Sequence, residues 1–557
     1  MRPGAEEPAG GVQVAAGSVM SAGERAVFLV LTAIVVLGGI AFARSWLALA
    51  DDGVALVGFV IITMIGGFLW LSWFGRWLLL WKMRRPIRIP WDQSPRVAAV
   101  TTFVPGAEPL GMLEQAVRAM VAMDGPHETW ILDEGGAPEV AALCRRLGAR
   151  YFSRKGRAEY LSDEGRFAVG TKYGNYNAWL AEHAADYDIL VSFDPDHIPE
   201  RVFLSRVLGY FADPRVAYVQ APQVYYNQRA SFVASGAAEE SYAYYSTHHM
   251  ASYGLGQPIL VGSHSTQRIA ALVQVGGFAA HDADDLLITM RYRAAGWKGV
   301  FVPEILALGL TPVAWSSYLR QQLRWSRSVV DLKLKQLPRL AGRLPLVEWL
   351  LNLFHGVFYL RSLKVPVLYA VVATLIVAGV KPAYFSFAAL GWVAALVLLH
   401  GLIGRFRYRF YLDRRREGAV PWRSLLLQLV KWPYQAWAVW TAIRGRPTAY
   451  EITMKVRGSS RTVVLWPHWV VAVLMAAVLI VGFVVHGAVA PPLAAFAVLV
   501  VLLSAGVALS ELRPEPAPWD PEVYRRRRAE LADVIGPMRW PSVERRRVPR
   551  EPVSVLA

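Results

Sequence analysis

Two carboxylates separated by one residue, Asp194 and Asp196, are the strongest chemical signal in the sequence. They directly follow Ile189–Phe193, an apolar segment whose length and composition predict a buried strand. Carboxylates on a rigid loop at a strand end can jointly hold a hard divalent cation, which prefers oxygen ligands. Because Asp-Pro-Asp is also a common turn sequence, the pattern by itself leaves both a cation site and a simple turn open.

Another pair of acids, Asp133 and Glu134, follows the apolar segment Thr129–Leu132, which also predicts a strand. Ligands of α/β domains bind at the carboxyl ends of strands. A carboxylate at such a position can accept hydrogen bonds from the base or the ribose of a nucleotide. This pair is therefore a candidate for nucleotide recognition.

Three further acids, Asp282, Asp284 and Asp285, precede Leu286–Tyr292, where the spacing of apolar residues predicts an amphipathic helix. Acids are favoured in the first turn of a helix because they interact favourably with its dipole. Taken by themselves, these residues predict the capping of a helix.

Gln321, Arg324 and Trp325 lie within about one and a half turns of a predicted helix. Arginine suits phosphate oxygens, and tryptophan offers an apolar face to a sugar ring. The three residues could hold a diphosphate and a sugar together, although a tryptophan near a membrane interface more often serves as an anchor.

The elements that must position these residues alternate between strands and helices from Arg96 onward, which predicts an α/β domain that binds a nucleotide. The carboxyl ends of its strands would bring the acidic groups to one edge of the sheet. The predicted strands are Val97–Val104, Thr129–Leu132, Arg150–Phe152 and Ile189–Phe193, and the predicted helices are Pro109–Met123, Glu139–Leu147 and Asn175–His183.

The rest of the 557-residue chain predicts a membrane protein, since 55% of all residues are hydrophobic. Six segments are long and apolar enough to cross the hydrocarbon of a bilayer. They are Ala26–Leu49, Val54–Leu80, Phe358–Val380, Tyr384–Gly404, His468–Val485 and Val489–Ser510. A further apolar segment, Trp422–Ile443, is interrupted by polar residues and rich in tryptophan, which favours a helix that lies in the membrane interface.

The net charge of +17 comes largely from basic clusters at residues 82–88, 405–416 and 525–547. These clusters adjoin the predicted spans, which predicts that both termini and the α/β domain are cytosolic. They do not interleave with exposed aromatic residues, so we expect no nucleic-acid partner. The single cysteine, Cys144, excludes an internal disulfide and a multi-cysteine metal site.

Taken in order, the motifs resemble those of the membrane-embedded family 2 glycosyltransferases, in particular the processive polysaccharide synthases typified by bacterial cellulose synthase. The resemblance runs from about residue 54 to residue 510. Its motifs are Asp133-Glu134-Gly135, Lys172-Tyr173-Gly174-Asn175-Tyr176-Asn177, Asp194-Pro195-Asp196-His197, Gln220-Ala221-Pro222-Gln223, Gly262–Arg268, Gly276-Gly277-Phe278, Ala283-Asp284-Asp285, Gln321–Trp325 and Tyr450–Lys455.

The sequence departs from the family pattern at three points. Glu134 stands where the family has a second aspartate, and Asp284 stands where it has a glutamate, so both replacements keep the charge. The loop at Tyr450–Lys455, which resembles a gating loop, lacks the usual final Lys-Gly and continues as Val456-Arg457-Gly458.

The resemblance implies a GT-A-like catalytic domain inserted between the helical transmembrane segments of a polytopic α-helical protein. Asp285, with Asp284 beside it, would be the catalytic base. The implied donor-binding residues are Asp133, Glu134, Lys172, Asp194, Gln321, Arg324, Thr453 and Lys455. The implied ligands of Mg²⁺ or Mn²⁺ are Asp194 and Asp196, and the implied acceptor-binding residues are Gly262, His264, Gln321 and Trp325.

The expected organisation is a disordered N-terminus at 1–25, two transmembrane helices at 26–80, a cytosolic GT-A-like domain at 81–345, two transmembrane helices at 346–404, an interfacial helix and gating-type loop at 405–466, two more transmembrane helices at 467–510 and a basic cytosolic tail at 511–557. We expect this multi-pass protein in the plasma membrane.

The expected function is inverting transfer from a nucleoside-diphosphate sugar, with UDP-glucose favoured among UDP-hexoses, to extend a β-linked polysaccharide and pass it through the membrane. Expected partners are the UDP-sugar, the growing glycan or a lipid-linked acceptor, the lipid bilayer and an accessory export protein. One alternative is a non-processive enzyme that acts on a lipid-linked acceptor. Another is a transporter or scaffold with an inactive catalytic domain, which the intact Asp194, Asp196 and Asp285 disfavour.

Overall fold

The computed structural model describes residues 12–91, 95–354, 357–445, 464–513 and 516–535. The strands are β1 Ala16–Ser18, β2 Arg84–Pro86, β3 Val97–Phe103, β4 Glu128–Asp133, β5 Arg150–Phe152, β6 Ile189–Phe193, β7 Ile198–Pro199, β8 Val216–Gln220, β9 Val224–Tyr225, β10 Ser265–Arg268, β11 Lys298–Phe301 and β12 Ala307–Gly309.

The helices of the α/β domain are α3 Leu110–Val121, α4 Pro138–Leu147, α5 Lys172–His183, α6 Phe203–Val207, α7 Phe232–Ala243, α8 His249–Gly254, α9 Ile269–Gln274, α10 Asp284–Ala294 and α11 Trp315–Asp331. They are preceded by α1 Ala22–Leu47 and α2 Gly53–Leu79. They are followed by α12 Leu346–Phe354, α13 Val357–Leu360, α14 Lys364–Val377, α15 Phe387–Tyr408, α16 Trp422–Val430, α17 Trp432–Ile443, α18 Trp466–His486, α19 Pro491–Ser510 and α20 Pro521–Glu530.

A seven-stranded sheet in the order β11-β8-β10-β6-β3-β4-β5 forms the centre of the α/β domain. β10 runs antiparallel to both of its neighbours, whereas β3 pairs in parallel with β4 and β6. Every residue of β6 is buried, as expected where helices cover both faces of a parallel sheet. Asp133 at the end of β4 and Asp194 after β6 therefore lie at the same edge, which confirms the predicted α/β arrangement.

A small three-stranded sheet begins directly after the loop that contains Asp194 and Asp196. Its order is β7-β12-β9, with Ile198 of β7 opposite Leu308 of β12 in an antiparallel pair. β12 also pairs in parallel with β9. Because β7 follows the loop without a linker, the small sheet determines where the loop ends.

Residues 232–254 form one helical segment in which a π-helical turn, Tyr244–His248, separates α7 from α8. Single π-turns inside helices occur frequently at functional sites. Tyr244, Tyr245 and His248 from this turn line the cavity described below.

Five helices, α1, α2 with its extension to Lys82, α15, α18 and α19, are long and apolar enough to cross a membrane. The predicted third span, Phe358–Val380, is wrong as a single helix. It is divided into α13, a 3-10 turn at Arg361–Leu363 and α14. The three elements follow one another without a gap, and α14, with 14 residues, is the apolar helix among them.

The described part of the N-terminus is not disordered, contrary to the expectation for residues 1–25. β1 pairs antiparallel with β2, with Gly17 opposite Arg85. α1 starts early because Ser21 and Glu24 form a capping box in which each side chain accepts a hydrogen bond from the other's backbone N–H.

The expected interfacial helix, Trp422–Ile443, consists of two helices that meet at Lys431. Lys431 is fully buried, and its Nζ lies 2.7 Å from Glu240 Oε1 on α7 and 3.3 Å from Gln322 Oε1 on α11. Tyr318 of α11 donates a 2.8 Å hydrogen bond to the other oxygen of Glu240. A buried ion pair thus joins α7, α11 and the start of α17.

We predict that Lys431→Met destabilises the protein by about 3–5 kcal/mol, because removal of one partner leaves the carboxylate of Glu240 buried without its counter-charge. Thermal unfolding in detergent measures this loss, and Glu240→Gln added to Lys431→Met should recover much of it. Lys335→Met is the matched control, since Lys335 forms a half-exposed ion pair with Asp331 and should cost about 1 kcal/mol or less. Equal unfolding midpoints for Lys431→Met and the wild type would contradict the prediction.

Candidate active site

A cavity of about 1960 Å³ opens at the carboxyl ends of β3, β4 and β6. Thr453 and Lys455 lie outside the described residues, so their roles stay predictions. Asp133 and His264 are absent from the residues that line the cavity in the described part of the chain. The predicted site residues that do line it are Glu134, Lys172, Asp194, Asp196, Gly262, Asp284, Asp285, Gln321, Arg324 and Trp325.

Three side chains at the cavity wall form a group that could bind a metal ion. The candidate ligand atoms of Asp194, Asp196 and His197 all lie within 4.8 Å of one another. Two carboxylates and an imidazole fit Mn²⁺, and the carboxylates also fit Mg²⁺. His197 had no role in the sequence-based prediction, although it is the last residue of the quoted Asp194–His197 motif.

His197 is held on two sides by its surroundings. Ser263 Oγ lies 2.7 Å from His197 Nδ1 and accepts a 3.0 Å hydrogen bond from the backbone N–H of Asp194. The imidazole also lies against Gly309 at the end of β12, where a Cβ would overlap the ring. The small sheet therefore sets the position of the imidazole, and only glycine leaves room for it.

Lys172, the first residue of α5, connects two loops of the cavity wall. Its Nζ donates hydrogen bonds to Asp194 Oδ1 at 2.6 Å and to the carbonyl oxygen of Gly262 at 2.9 Å. Burial acts to lower the pKa of Lys172, but the adjacent Asp194 carboxylate outweighs it and the pKa is raised. Gly262 adopts a φ of +74°, a backbone conformation that favours glycine.

Asp284 and Asp285 are the first two residues of α10, as predicted for acids at a helix start, and both line the cavity. Burial and the neighbouring Asp284 carboxylate raise the pKa of Asp285 to about 7. Burial likewise raises the pKa of Asp284. A carboxyl group whose pKa lies near neutrality is suited to accept a proton from a substrate.

Gln321, Arg324 and Trp325 share the cavity-facing side of α11. The indole of Trp325 is 39% exposed, so a ring-shaped ligand can contact it. The rotation of α11 is set by the buried Gln322, whose contact with Lys431 is described above. The structure thus brings this predicted group together with the four aspartates.

Glu134 lies at the cavity edge but is already bonded to protein groups. It accepts two hydrogen bonds from the fully buried Arg154, at 2.9 and 2.7 Å, and one from the backbone N–H of Gly170 at 2.9 Å. Arg154 also donates to the carbonyl oxygens of Tyr160, Phe167 and Ala168. Sequence reasoning missed Arg154, because an isolated arginine carries no motif.

The structure corrects the expected donor contact of Asp133. Its side chain is fully buried and accepts hydrogen bonds from the backbone N–H groups of Gly135 and Ala137, at 2.9 and 2.5 Å, and from the hydroxyl of Tyr151 at 3.0 Å. Both carboxylate oxygens therefore stabilise the loop after β4 instead of facing the cavity.

His264, expected to contact the acceptor, is also buried away from the cavity. Its Nδ1 lies 2.8 Å from the carbonyl oxygen of Pro222, and its ring packs against that of His197 with centroids 4.6 Å apart. Burial, reinforced by His197, lowers the pKa of His264 to about 3, so the ring is neutral. Its ring thus packs behind the loop that carries Asp194 and Asp196.

Comparison with known proteins agrees with this geometry. Residues 95–328 match the family model described as "Glycosyltransferase like family 2". The matched residues include most of the α/β domain that is built on the seven-stranded sheet.

Two curated relatives are UDP-forming cellulose synthase catalytic subunits. The one from Xanthomonas axonopodis pv. citri (strain 306) is 27% identical over 322 residues, which cover 55% of this chain and 41% of the relative. The one from Pseudomonas fluorescens (strain SBW25) is 24% identical over 382 residues, which cover 64% of this chain and 48% of the relative. The matches thus span less than half the length of these relatives.

A solved structure with some similarity is a mannosyltransferase from Pyrobaculum calidifontis in complex with GDP-Man and Mn²⁺. It is 18% identical with a TM-score of 0.47, and the match covers 71% of this chain and 100% of that chain. Residues 95–328 therefore resemble the family 2 glycosyltransferases, and the chain is similar to the catalytic subunits of cellulose synthases.

Proposed function

We propose that this protein is an inverting, processive synthase that transfers a hexose from a UDP-sugar, with UDP-glucose favoured, to a growing β-linked glycan. The observation that supports this proposal best is the extent of the cavity. Beyond Asp285 and Trp325 it continues to Phe68, Leu71 and Ser72 of the apolar helix α2. A glycan formed at the aspartates would therefore have a path along the protein toward the membrane helices.

Aromatic residues along this path are suited to a sugar polymer. The cavity wall includes Tyr359, Trp437 of α17 and Trp469 of α18, in addition to Trp325. Aromatic faces offer apolar contact to sugar rings without fixing one register, which suits a glycan that must move by one sugar after each transfer. Passage through the bilayer, with the catalytic domain on the cytosolic side of the plasma membrane, is part of the proposal.

The donor diphosphate would lie near Asp194, Asp196 and His197, which would hold Mg²⁺ or Mn²⁺. Such an ion supplies positive charge that offsets the charge developing on the leaving diphosphate. Arg324 would contact the diphosphate from the other wall, since guanidinium groups suit phosphate oxygens. Lys172 would keep Asp194 in place through its direct hydrogen bond.

The transfer step moves one proton, forms one glycosidic bond and breaks the bond between the donor sugar and its diphosphate. Asp285 takes the proton from the acceptor hydroxyl, whose oxygen forms a bond to the anomeric carbon of the donor. The bond from that carbon to the diphosphate breaks at the same time, and the diphosphate leaves with the electron pair. In-line attack inverts the anomeric configuration, and stacking on Trp325 holds the acceptor in the reactive orientation.

Transfer to a lipid-linked acceptor is the second candidate. The cavity reaches helix α2, so a membrane-embedded acceptor could also approach Asp285. An accessory export protein would be needed only by the polymer-forming enzyme. The size of the product distinguishes the two functions.

We predict that purified protein with UDP-glucose and Mg²⁺ or Mn²⁺ releases UDP and forms a high-molecular-weight glycan that a β-glucanase degrades. A panel of UDP- and GDP-sugars, with nucleotide release as the measurement, identifies the donor. Trp325→Ala should reduce elongation by about 100-fold because the acceptor loses its stacking contact. A single-sugar glycolipid in the organic phase, with no polymer from any donor, would instead support the lipid-linked acceptor.

Asp196→Ala should reduce transfer by on the order of 10²–10³-fold, because the metal loses an oxygen ligand at the point where it stabilises charge. The variant should unfold like the wild type, since Asp196 lies at a cavity wall and leaves no void in the apolar core. Asp163→Ala, which removes an exposed acid from another loop, is the control and should remain active. Wild-type turnover in Asp196→Ala would contradict the metal assignment.

Transfer should depend on a group with a pKa of about 7, assigned to Asp285. The base must be deprotonated, so kcat/KM should fall about tenfold per pH unit as the pH drops below 7. Asp284 and Asp194 raise this pKa and Lys172 lowers it, so replacement of these groups would shift the profile.

Asp285→Asn should keep donor binding and lose about 10²–10⁴-fold in turnover. The fall of kcat/KM below pH 7 should be absent in this variant, because it has no carboxylate at this position to be protonated. A parallel loss of donor affinity would mean that Asp285 binds the donor instead of accepting the proton.

A further inference from the structure

The C-terminal segment Trp519–Ile535 lies on the α/β domain, although the sequence predicted only a basic tail. Leu531 is fully buried in one apolar cluster with Ile198 of β7 and Leu308 of β12. Val534 and Ile535 pack against the same cluster. Residues 519–535 thus cover the back of the small sheet that follows the loop with Asp194 and Asp196.

A polar contact strengthens this attachment close to the loop. Arg528 of α20 donates two hydrogen bonds to Glu200, from Nε at 3.0 Å and from Nη2 at 2.8 Å. Glu200 is buried and lies three residues after His197. Its backbone N–H donates to the carbonyl oxygen of Leu306 at 2.9 Å, so Glu200 is also tied to the segment that leads into β12.

Further contacts fix the segment at both ends. Trp519 Nε1 donates to Gln115 Oε1 at 3.1 Å, and the ring of Tyr524 packs edge-on against Tyr226 with centroids 5.4 Å apart. At the other end, two arginines of the 405–416 cluster, Arg415 and Arg416, form ion pairs with Asp533.

These contacts lie behind strands β7 and β12, which adjoin His197. Ile198 follows His197 directly and pairs with Leu308, while the next residue, Gly309, packs against the ring. A shift of either strand would move the imidazole, because a close-packed core transmits displacement instead of absorbing it. Leu531 belongs to the apolar cover of these strands, so its contacts with Ile198 and Leu308 help to hold them in place.

We propose that the C-terminal segment is a brace for the metal-binding loop, and that Arg528 is a positioning residue that acts on His197 through Glu200. The proposal rests on the metal site of the proposed function. It gives part of the basic run 525–528 a role beyond membrane topology. Arg528 reaches across to Glu200, whereas Arg525 and Arg526 are exposed and pair with Glu522 of their own helix.

The test compares Arg528→Ala with the matched control Arg526→Ala in the full-length protein. Thermal unfolding is measured with UDP over a series of Mn²⁺ concentrations, which reports metal binding without turnover. Arg528→Ala should raise the half-saturating Mn²⁺ concentration by roughly three- to tenfold, as expected for loss of a partly exposed charged pair. Arg526→Ala should leave it unchanged, and Arg528→Lys should restore part of the affinity.

Gly309→Ala serves as the positive control, since its Cβ displaces His197 directly and should weaken Mn²⁺ binding in the same assay. In transfer assays, Arg528→Ala should raise the Mn²⁺ requirement while kcat at saturating metal stays near that of the wild type. If the wild type responds to Mn²⁺ and Arg528→Ala titrates like Arg526→Ala, the brace is refuted and the metal site stands. If the wild type shows no response to Mn²⁺ or Mg²⁺, the metal site is refuted and the brace with it.

Discussion

Aspartates from the loop after β6 and from the start of α10 face one cavity, and the repulsion between their carboxylates is the constraint on which the site depends. Asp194, Asp196, Asp284 and Asp285 come from two separate parts of the chain, yet all line the same wall. Lys172 places a positive charge 2.6 Å from Asp194 Oδ1, and this carboxylate raises the pKa of Lys172 against the effect of burial. Burial, and after it the repulsion from Asp284, raises the pKa of Asp285 to about 7. The group formed by Asp194, Asp196 and His197 is suited to a divalent cation.

The ammonium group of Lys172 can fulfil this role only if helix α5 begins at the right place. The loop before α5 is held by the fully buried Arg154, which bonds to Glu134 and to three carbonyl oxygens of that loop. Thr171 then caps α5 by accepting a hydrogen bond from Gly174. An interaction network with no contact to the reacting atoms therefore determines the electrostatics of the site.

The helical pair α16–α17 is attached to the α/β domain through buried polar contacts. The ion pair of Glu240 and Lys431 joins α7, α11 and α17, and all three helices contribute to the cavity wall. α7 leads into the π-turn that lines the cavity, and α11 carries Trp325. The shape of the cavity near Trp325 is thus coupled to how α16 and α17 pack against the α/β domain.

Sequence alone determined the elements whose signals are local. The strands Arg150–Phe152 and Ile189–Phe193, the apolar helices other than the broken third span, and the family motifs follow from composition and spacing within a short window. Most motif residues reach the cavity because the carboxyl ends of parallel strands meet at one edge. Only the tertiary structure decided which way the side chains face: Asp133 and His264 satisfy buried backbone groups, while His197 reaches the metal-binding group. The packing of the C-terminal segment on the small sheet could not be predicted from the sequence either, because ion pairs between residues more than 300 positions apart leave no pattern in the local sequence.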